Sequence, residues 1–228
     1  MDRGLYVAGS GMLAEMVRQE QIANDLANST TPGYKADRSA QSGFGEMLLT
    51  NTRNGRPVGT VGFGVEIAEV KTDLAPAPVH ETGDPLDMAI EGEGYFAVRT
   101  PNGVRYTRDG QFTANAEGLL TDTFGNEVLG ANGAPLKLRQ DGTVPAGEVG
   151  VFAVNNPRKQ GDSLFTGTAA GNASGRVRAG ALEESATDPE RSMVEMISSF
   201  RTLESDQKAI QTIDETLGEF AGQTGAMA

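Results

Sequence analysis

The chain has 228 residues, of which 38% are hydrophobic and 30 are glycine, and its formal net charge at pH 7 is −12. This length is enough for one large domain or two small ones, and the glycine content predicts many tight turns. The negative charge and the scattered basic residues argue against nucleic-acid binding, and the absence of cysteine excludes disulfides, thiolate nucleophiles and cysteine metal sites.

The amino terminus carries no recognisable targeting segment. Residues 1–4 lead directly into an amphipathic stretch, without the apolar region or the small-residue cleavage site of a signal peptide. No run of the sequence approaches the roughly 20 apolar residues of a membrane span. We therefore expect a cytoplasmic protein, or one that is exported by a route that leaves its amino terminus intact.

The first predicted element is a helix between Leu5 and Leu26. Its apolar residues recur at the spacing that places them on one face. That face carries Leu5, Met12, Met16, Ile22 and Leu26. The turn residues at 28–33 end the helix, because proline lacks a backbone donor and restricts the residue before it. We assign residues 1–35 to this amino-terminal helical segment.

A connector is predicted at 36–82. Apolar residues nearly alternate with glycine and glutamate between Val61 and Val70, which is the period of a half-buried strand. The rest of the connector is polar and rich in turn residues. We expect it to contain one or two strands.

A β-domain is predicted at 83–180. Short apolar runs such as 95–98, 127–129 and 136–138 are separated by turn signals about every 8 to 12 residues, which is typical of an antiparallel sandwich or open barrel. Residues 161–180 are rich in glycine, alanine and serine. We interpret this last part as a loop and a return strand.

The last predicted element is a long helix from Pro189 to Phe220, within a carboxy-terminal segment at 181–228. It would be about 45 to 50 Å long, which is more than one core helix of such a domain needs. Its apolar stripe consists of Met193, Met196, Phe200, Leu203, Ile210, Ile213 and Leu217. Because Gln207 and Asp214 also fall on the stripe, we interpret the helix as shared among several neighbours rather than as a strict two-stranded coiled coil.

The sequence as a whole predicts an α+β protein. Its long terminal helices pair in an α-helical assembly domain, and the antiparallel all-β domain is inserted between them. Two paired helices share one interface, so each still exposes apolar side chains such as Tyr6 and Phe200. Burying one such side chain is worth about 1.5 to 3 kcal/mol. We therefore expect self-assembly rather than a closed monomer.

No motif for catalysis, cofactor binding or metal binding stands out, and we expect no cofactor. His80 is the only histidine, and we interpret it as a solvated loop residue. Ser10 lacks the spacing of a nucleophile elbow, and Gly92–Gly94 lacks the third glycine of a dinucleotide site. Two alternatives stay open: a secreted β-domain adhesin or carbohydrate-binding module, and a glycosidase with an unrecognised carboxylate pair.

Three separate segments, at 22–35, at 83–110 and at 180–217, carry a family resemblance. The first joins an Asn-Asp-Leu-Ala-Asn run to a Gly-Tyr-Lys turn, and the second contains two Gly-rich turns and a Thr-Arg-Asp-Gly run. Together they resemble the flagellar basal-body rod and hook protein family, specifically its proximal and distal rod proteins. The matching motif residues are Asn24, Leu26, Ala27, Asn28, Gly33, Pro85, Leu86, Asp87, Gly92, Gly94, Arg108, Asp109 and Gly110.

The resemblance implies a structural subunit of the bacterial flagellar basal-body rod. Members of this family pack their terminal helices into the inner wall of a hollow helical tube that transmits motor torque to the hook, and their β-domains form the outer layer. The resemblance also implies other rod and hook subunits as partners, export through the flagellar type III apparatus without cleavage, and localisation in the basal body. The shortness of the chain favours the proximal rod.

Overall fold

The computed structural model describes residues 3–43, 45–50, 53, 56–161 and 163–225. This part of the chain forms two helices and fifteen strands. The helices are α1 (Arg3–Ala27) and α2 (Pro189–Gly225), and none of the described helices is long and apolar enough to cross a membrane. The strands are β1 (Asp37–Gly43), β2 (Glu46–Thr50), β3 (Pro57–Gly62), β4 (Val65–Thr72), β5 (Val79–Glu81), β6 (Met88–Glu91), β7 (Phe96–Thr100), β8 (Gly103–Thr107), β9 (Thr113–Ala114), β10 (Leu120–Thr121), β11 (Glu127–Leu129), β12 (Phe152–Lys159), β13 (Leu164–Asn172), β14 (Arg176–Ala179) and β15 (Ala181–Glu183).

The described residues divide into two compact units. Unit 1 contains the described parts of 1–26, 37–71 and 189–228, and unit 2 contains those of 27–36 and 72–188. The division differs from the boundaries predicted at 35, 82 and 180. The segments 27–36, 72–82 and 181–188 all belong to the β-rich unit 2, because their backbones bond to it.

Both terminal helices and the α+β class are confirmed, and both helices are slightly longer than predicted. Pro189 is the first residue of α2, a position where its missing donor is harmless. After α1 the chain turns, with the Thr31 amide donating to the Asn28 carbonyl at 3.1 Å. The side chain of Phe220, where the second helix was predicted to end, lies outside the described side chains.

Unit 1 combines the helices with two two-stranded ribbons. β1 pairs with β4, and β2 pairs with β3 in a register that places Leu48 opposite Thr60. The prediction of one or two strands at 36–82 was wrong, because the described residues of this range contain all of β1 to β5. Polar strands such as Asp37–Gly43 show no alternation of apolar residues, so only pairing with distant segments defines them.

Unit 2 is built on a seven-stranded antiparallel sheet with the order β12-β13-β8-β7-β11-β10-β9. The range 161–180, predicted as a loop and a return strand, contains two strands: β14, which pairs with β6, and β13, which lies between β12 and β8. Its threonine, glycine and alanine residues give a weak strand signal, and pairing on both sides outweighs that weakness. The predicted run 136–138 forms no strand and takes part in a single isolated bridge among the described residues, between Lys137 and Leu119.

Two apolar clusters fill unit 2. The larger contains Met88, Phe96, Val98, Leu120 and Val128, and the Phe96 ring meets the Phe112 ring edge to face with centroids 5.2 Å apart. The smaller surrounds Phe165. These clusters hold the sheet and its connecting turns in place.

Candidate functional site

A buried cluster of three charged side chains lies in unit 2. We call Lys35, Arg108 and Glu183 the Glu183 cluster; their exposed fractions are 0%, 4% and 1%. Glu183 Oε1 accepts from Lys35 Nζ at 2.6 Å, and Glu183 Oε2 accepts from Arg108 Nη1 at 3.1 Å. One carboxylate therefore faces two cations that water does not reach.

Backbone groups add further hydrogen bonds to these charges, although the buried Arg108 Nε has no hydrogen-bond partner among the described residues. Lys35 Nζ donates to the Ala75 carbonyl at 2.6 Å, and Glu183 Oε1 accepts from the Ala77 amide at 2.9 Å. Arg108 Nη2 donates to the Gly92 carbonyl at 2.9 Å, and its guanidinium lies over the Tyr95 ring, 5.3 Å from the centroid. Burial raises the pKa of the Tyr95 hydroxyl, although the nearby Arg108 acts in the opposite direction. Such partners are what a buried charge requires.

The segment that carries Lys35 is fixed to the segment that carries Glu183 by backbone bonds. The Gly33 amide donates to the Glu183 carbonyl at 2.9 Å, and the Ala186 amide donates to the Tyr34 carbonyl at 2.9 Å. The Ser185 hydroxyl donates to the Asn28 carbonyl at 2.9 Å. Residues 27–36 and 181–187 thus lie side by side in unit 2.

Lys159, at the end of β12, covers the same segment from another side. Its Nζ donates to the Lys35 carbonyl at 2.8 Å and lies 3.9 Å from the centroid of the Tyr34 ring. Tyr34 is fully buried. The cation and the ring face attract each other, and this contact adds to the apolar burial of the ring.

Other backbone segments lie so close to Gly33 and Gly110 that only glycine fits at these two positions. Gly33 has a φ of 66°, and a Cβ there would lie 2.3 Å from the carbonyl carbon and oxygen of Arg108. A Cβ on Gly110 would lie 1.5 Å from the Met88 carbonyl oxygen, while the Met88 amide donates to the Gly110 carbonyl at 3.0 Å. Both motif glycines therefore allow contacts that any side chain would prevent.

The acidic motif residues shape turns. Asp84 Oδ1 accepts from the Leu86 amide across Pro85, and the Asp87 carbonyl accepts from the Gly180 amide at 2.8 Å. Asp109 Oδ1 accepts from the Gln111 amide at 2.9 Å. Burial raises the pKa of the Asp109 carboxyl from 3.8 to about 6, and the Gln111 amide opposes this rise while nearby carboxylates add to it. Asp109 and Gly110 lie in the connection between β8 and β9.

Three family models match regions of the chain that overlap the three segments at 22–35, 83–110 and 180–217. The model described as "Flagella basal body rod protein" matches residues 5–35, "Flagellar hook protein FlgE/F/G D1 domain" matches 89–156, and "Flagellar basal body rod FlgEFG protein C-terminal" matches 178–222. The flagellar basal-body rod protein FlgG of Borreliella burgdorferi is 31% identical, over 96% of this chain and 97% of that protein. The chain belongs to the flagellar basal-body rod protein family.

Two further relatives cover nearly the whole chain. The flagellar basal-body rod protein FlgF of Caulobacter vibrioides is 30% identical over 94% of this chain and 95% of its own length. The flagellar hook-basal body complex protein FlhO of Bacillus subtilis is 29% identical over 99% of both chains. This rod-family chain therefore aligns with its relatives from end to end.

The Glu183 cluster joins all three family segments of this rod-family chain. Lys35 lies at the end of the first matched region, Arg108 lies in the second and Glu183 lies in the third. Sequence reasoning singled out Arg108 but missed Glu183 and Lys159 as partners. The sequence signal that could have indicated Glu183 is an acidic residue directly after the apolar pair Ala181–Leu182.

The other motif residues lie around this cluster or beside it. Gly92 and Gly94 flank the turn before β7, and Gly92 supplies the carbonyl that Arg108 contacts. Asn28 lies just after α1, where its carbonyl and side chain both accept from Thr31. Asn24, Leu26 and Ala27 form the last turn of α1. Their role as a family motif stays a prediction.

The predicted interface residues of the two helices are not equally accessible. Leu5, Met16, Met193, Phe200 and Leu217 are exposed, with exposed fractions between 41% and 55%. Intermediate exposure is found for Met12, Leu26, Met196, Leu203, Ile210 and Ile213, and Ile22 is buried. The sequence analysis missed further exposed apolar residues that lie off the heptad stripe: Leu13, Val194 and Ile197.

Polar contacts join α1 to α2 within unit 1. The Ser199 hydroxyl donates to Glu15 Oε2 at 2.6 Å, and both side chains are buried. A Cβ on Gly11 would lie 3.1 Å from Asp206 Oδ2, so the helices approach closely there. These contacts leave the exposed apolar residues of both helices available for other partners.

The residues considered for chemistry have structural surroundings. Ser10 Oγ donates to the Val7 carbonyl and accepts from the Val65 amide, so it joins α1 to β4. His80 lies in β5 rather than in the predicted loop, because β5 pairs with β15, and its ring is half exposed near Glu184. Among the described residues there is no group of three or more acidic, histidine or cysteine side chains that could hold a metal ion.

Proposed function

We propose that this chain is a structural subunit of the flagellar basal-body rod, and that it self-assembles through its terminal helices into a hollow helical shaft. The shaft transmits torque from the motor to the hook. Its partners are further copies of the chain and other rod and hook subunits, and it reaches the basal body through the flagellar type III export apparatus without cleavage. Membership of the rod protein family supports this proposal.

The single observation that carries the proposal is the apolar surface of the two helices. Five predicted interface residues, Leu5, Met16, Met193, Phe200 and Leu217, are exposed along α1 and α2. Because each of these side chains is about half exposed, burying the remaining surface of all five would contribute about 4 to 8 kcal/mol in total. Association itself costs roughly 4 to 15 kcal/mol, so one partner of this kind is marginal and several partners give a stable assembly.

A contact between different faces of neighbouring copies produces an open filament when its rotation does not close. The exposed residues lie on both helices and off a single stripe, so each helix offers surface in more than one direction. Bending such a filament would break apolar contacts in several directions at once. This arrangement would give the shaft its stiffness.

Phe200→Asp tests the interface with the least damage to the fold. The Phe200 side chain is 55% exposed, so a charge there is tolerated by the single chain but is buried unpaired in an assembly. Leu203 and Ile210 are less exposed, and a charge at either position would also disturb unit 1. We expect the purified Phe200→Asp chain to stay monomeric under conditions in which the wild type forms large oligomers or tubes.

Thr202→Asp is the matched control. Thr202 is exposed on the same helix two positions away, and its hydroxyl bonds only to the Ser198 carbonyl of its own helix. Sedimentation and electron microscopy of all three proteins give the comparison, and motility of cells that carry each variant gives the biological readout. Normal assembly and motility with Phe200→Asp would refute the proposed interface.

A further inference from the structure

The three residues of the Glu183 cluster come from widely separated parts of the chain. Lys35 and Glu183 are 148 residues apart, and Arg108 and Glu183 are 75 residues apart. Lys35 is held at the end of the segment after α1, and Glu183 lies in β15, just before α2. The cluster is complete only when the chain is present as far as residue 183.

The charge balance makes Glu183 indispensable to this arrangement. Among the described residues, it is the one carboxylate within 4.0 Å of either buried cation. Without it, Lys35 and Arg108 would both be buried without a counter-charge, which is strongly unfavourable in a protein interior. Before residue 183 is available, the segment 27–36 therefore has an electrostatic reason to stay in water.

The backbone hydrogen bonds indicate the same dependence of segment 27–36 on residues 181–187. The Gly33 amide and the Tyr34 carbonyl find their partners on Glu183 and Ala186. The Asn28 carbonyl accepts from the Ser185 hydroxyl. A chain without residues 181–187 would leave these polar groups without those partners, which opposes burial of the segment.

We infer that Glu183 acts as a completion latch. Residues 27–36 dock onto unit 2 only together with residues 181–187, so unit 2 stays incompletely folded until nearly the whole chain is available. The seven-stranded sheet does not need the latch, because its strands lie between 96 and 172 and the buried residues of both apolar clusters lie between 88 and 165. The inference stands on the contacts within unit 2 and does not rest on the proposed rod function.

The test compares full-length Glu183→Gln with wild type by amide hydrogen exchange. Glutamine keeps the shape of glutamate but removes the charge. We expect the Gly33 and Ala186 amides to lose protection together, by about 100-fold or more. Val98 in the central sheet should change by less than about 10-fold. The matched control is Glu184→Gln at the neighbouring position, which is half exposed and should leave all three amides unchanged.

A second variant keeps the inference testable if Glu183→Gln unfolds the whole chain. Adding Lys35→Met and Arg108→Met to Glu183→Gln removes both unpaired cations, and it should restore most of the lost protection at Gly33 and Ala186. Failure of this triple variant to restore protection would overturn the electrostatic explanation. Unchanged protection in Glu183→Gln alone would overturn the inference as well.

Pulse labelling during refolding of the wild-type chain tests the order directly. Gly33 and Ala186 should become protected in one phase, after Val98. Protection of Gly33 in an earlier phase than Ala186 would show that the segment docks without the latch, and protection of Gly33 together with Val98 would refute the proposed order of folding. The result bears on folding alone and leaves the assembly experiment on Phe200 independent.

Discussion

Gly33→Ala should destabilise unit 2 far more than an ordinary glycine replacement. Gly33 has a φ of 66°, and a Cβ there would lie 2.3 Å from two backbone atoms of Arg108. Real Cβ atoms do not approach other atoms so closely, and backbone atoms cannot rotate away. The segment 27–36 would therefore have to move, which would break its contacts with Glu183.

The expected magnitude follows from the contacts that this movement breaks. A left-handed conformation costs an alanine residue about 1 to 2 kcal/mol. Loss of the bond from the Gly33 amide to the Glu183 carbonyl costs about 1 kcal/mol. Separation of Lys35 from Glu183 costs about 3 kcal/mol or more. We expect a loss of about 5 to 6 kcal/mol or more, which is a large part of the stability of a typical domain.

Gly118→Ala is the matched control for the backbone term. Gly118 has a φ of 74° in the same unit, and a Cβ there would meet nothing within 4 Å. This substitution should cost only about 1 to 2 kcal/mol. The difference between the two variants isolates the clash with Arg108.

Urea unfolding followed by tyrosine fluorescence measures both variants in the full-length chain. The chain has no tryptophan and four tyrosines. Three of these tyrosines, Tyr34, Tyr95 and Tyr106, are buried in unit 2, so the signal reports mainly on that unit. A Gly33→Ala cost within about 1 kcal/mol of the Gly118→Ala cost would refute the close-packing argument, since the φ term alone would then account for it.

Three other results are expected. Asp109→Asn should raise the free energy of unfolding at pH 7.5 by up to about 3 kcal/mol. The raised pKa of Asp109 means that the folded state keeps a proton that the unfolded state has lost, so stability falls as the pH rises from 3.8 to about 6, and the gain should vanish below pH 4 in pH-dependent urea unfolding. Asp141→Asn should lower the free energy of unfolding at pH 7.5, because the Thr143 hydroxyl bond holds the pKa of this exposed carboxyl below its usual range. Gly110→Ala should prevent folding of unit 2, measured by circular dichroism, because its Cβ would overlap the Met88 carbonyl.

The helices could be predicted because their signal is local. Apolar residues at helical spacing and Pro189 at the first position define α1 and α2 without any knowledge of their partners. The turn at Pro101–Gly103 likewise follows from its own residues and joins β7 to β8. The strand β13 could not be predicted in this way, because its glycine and threonine residues become a strand only through pairing on both sides.

The Glu183 cluster could be predicted only in part. Arg108 and Lys35 stood in recognisable motifs, but a motif gives no information on which distant residue neutralises a charge. The division of the chain was missed for the same reason: the segment after α1 reads as the end of a helical segment, yet its bonds to Glu183 and Ala186 assign it to unit 2.

This division separates two kinds of variant in one chain. The residues at 28–35 follow a helix of unit 1, but their contacts with Arg108 and Glu183 serve the closure of unit 2. Substitutions there should reduce the free energy of unfolding, and assembly should fail only as a consequence. Substitutions on the exposed helix surface, such as Phe200→Asp, should leave unfolding unchanged and reduce assembly directly. A Gly33 variant with an unchanged free energy of unfolding that fails to assemble would show that this segment contacts neighbouring copies. Its role would then lie in assembly rather than in the folding of unit 2.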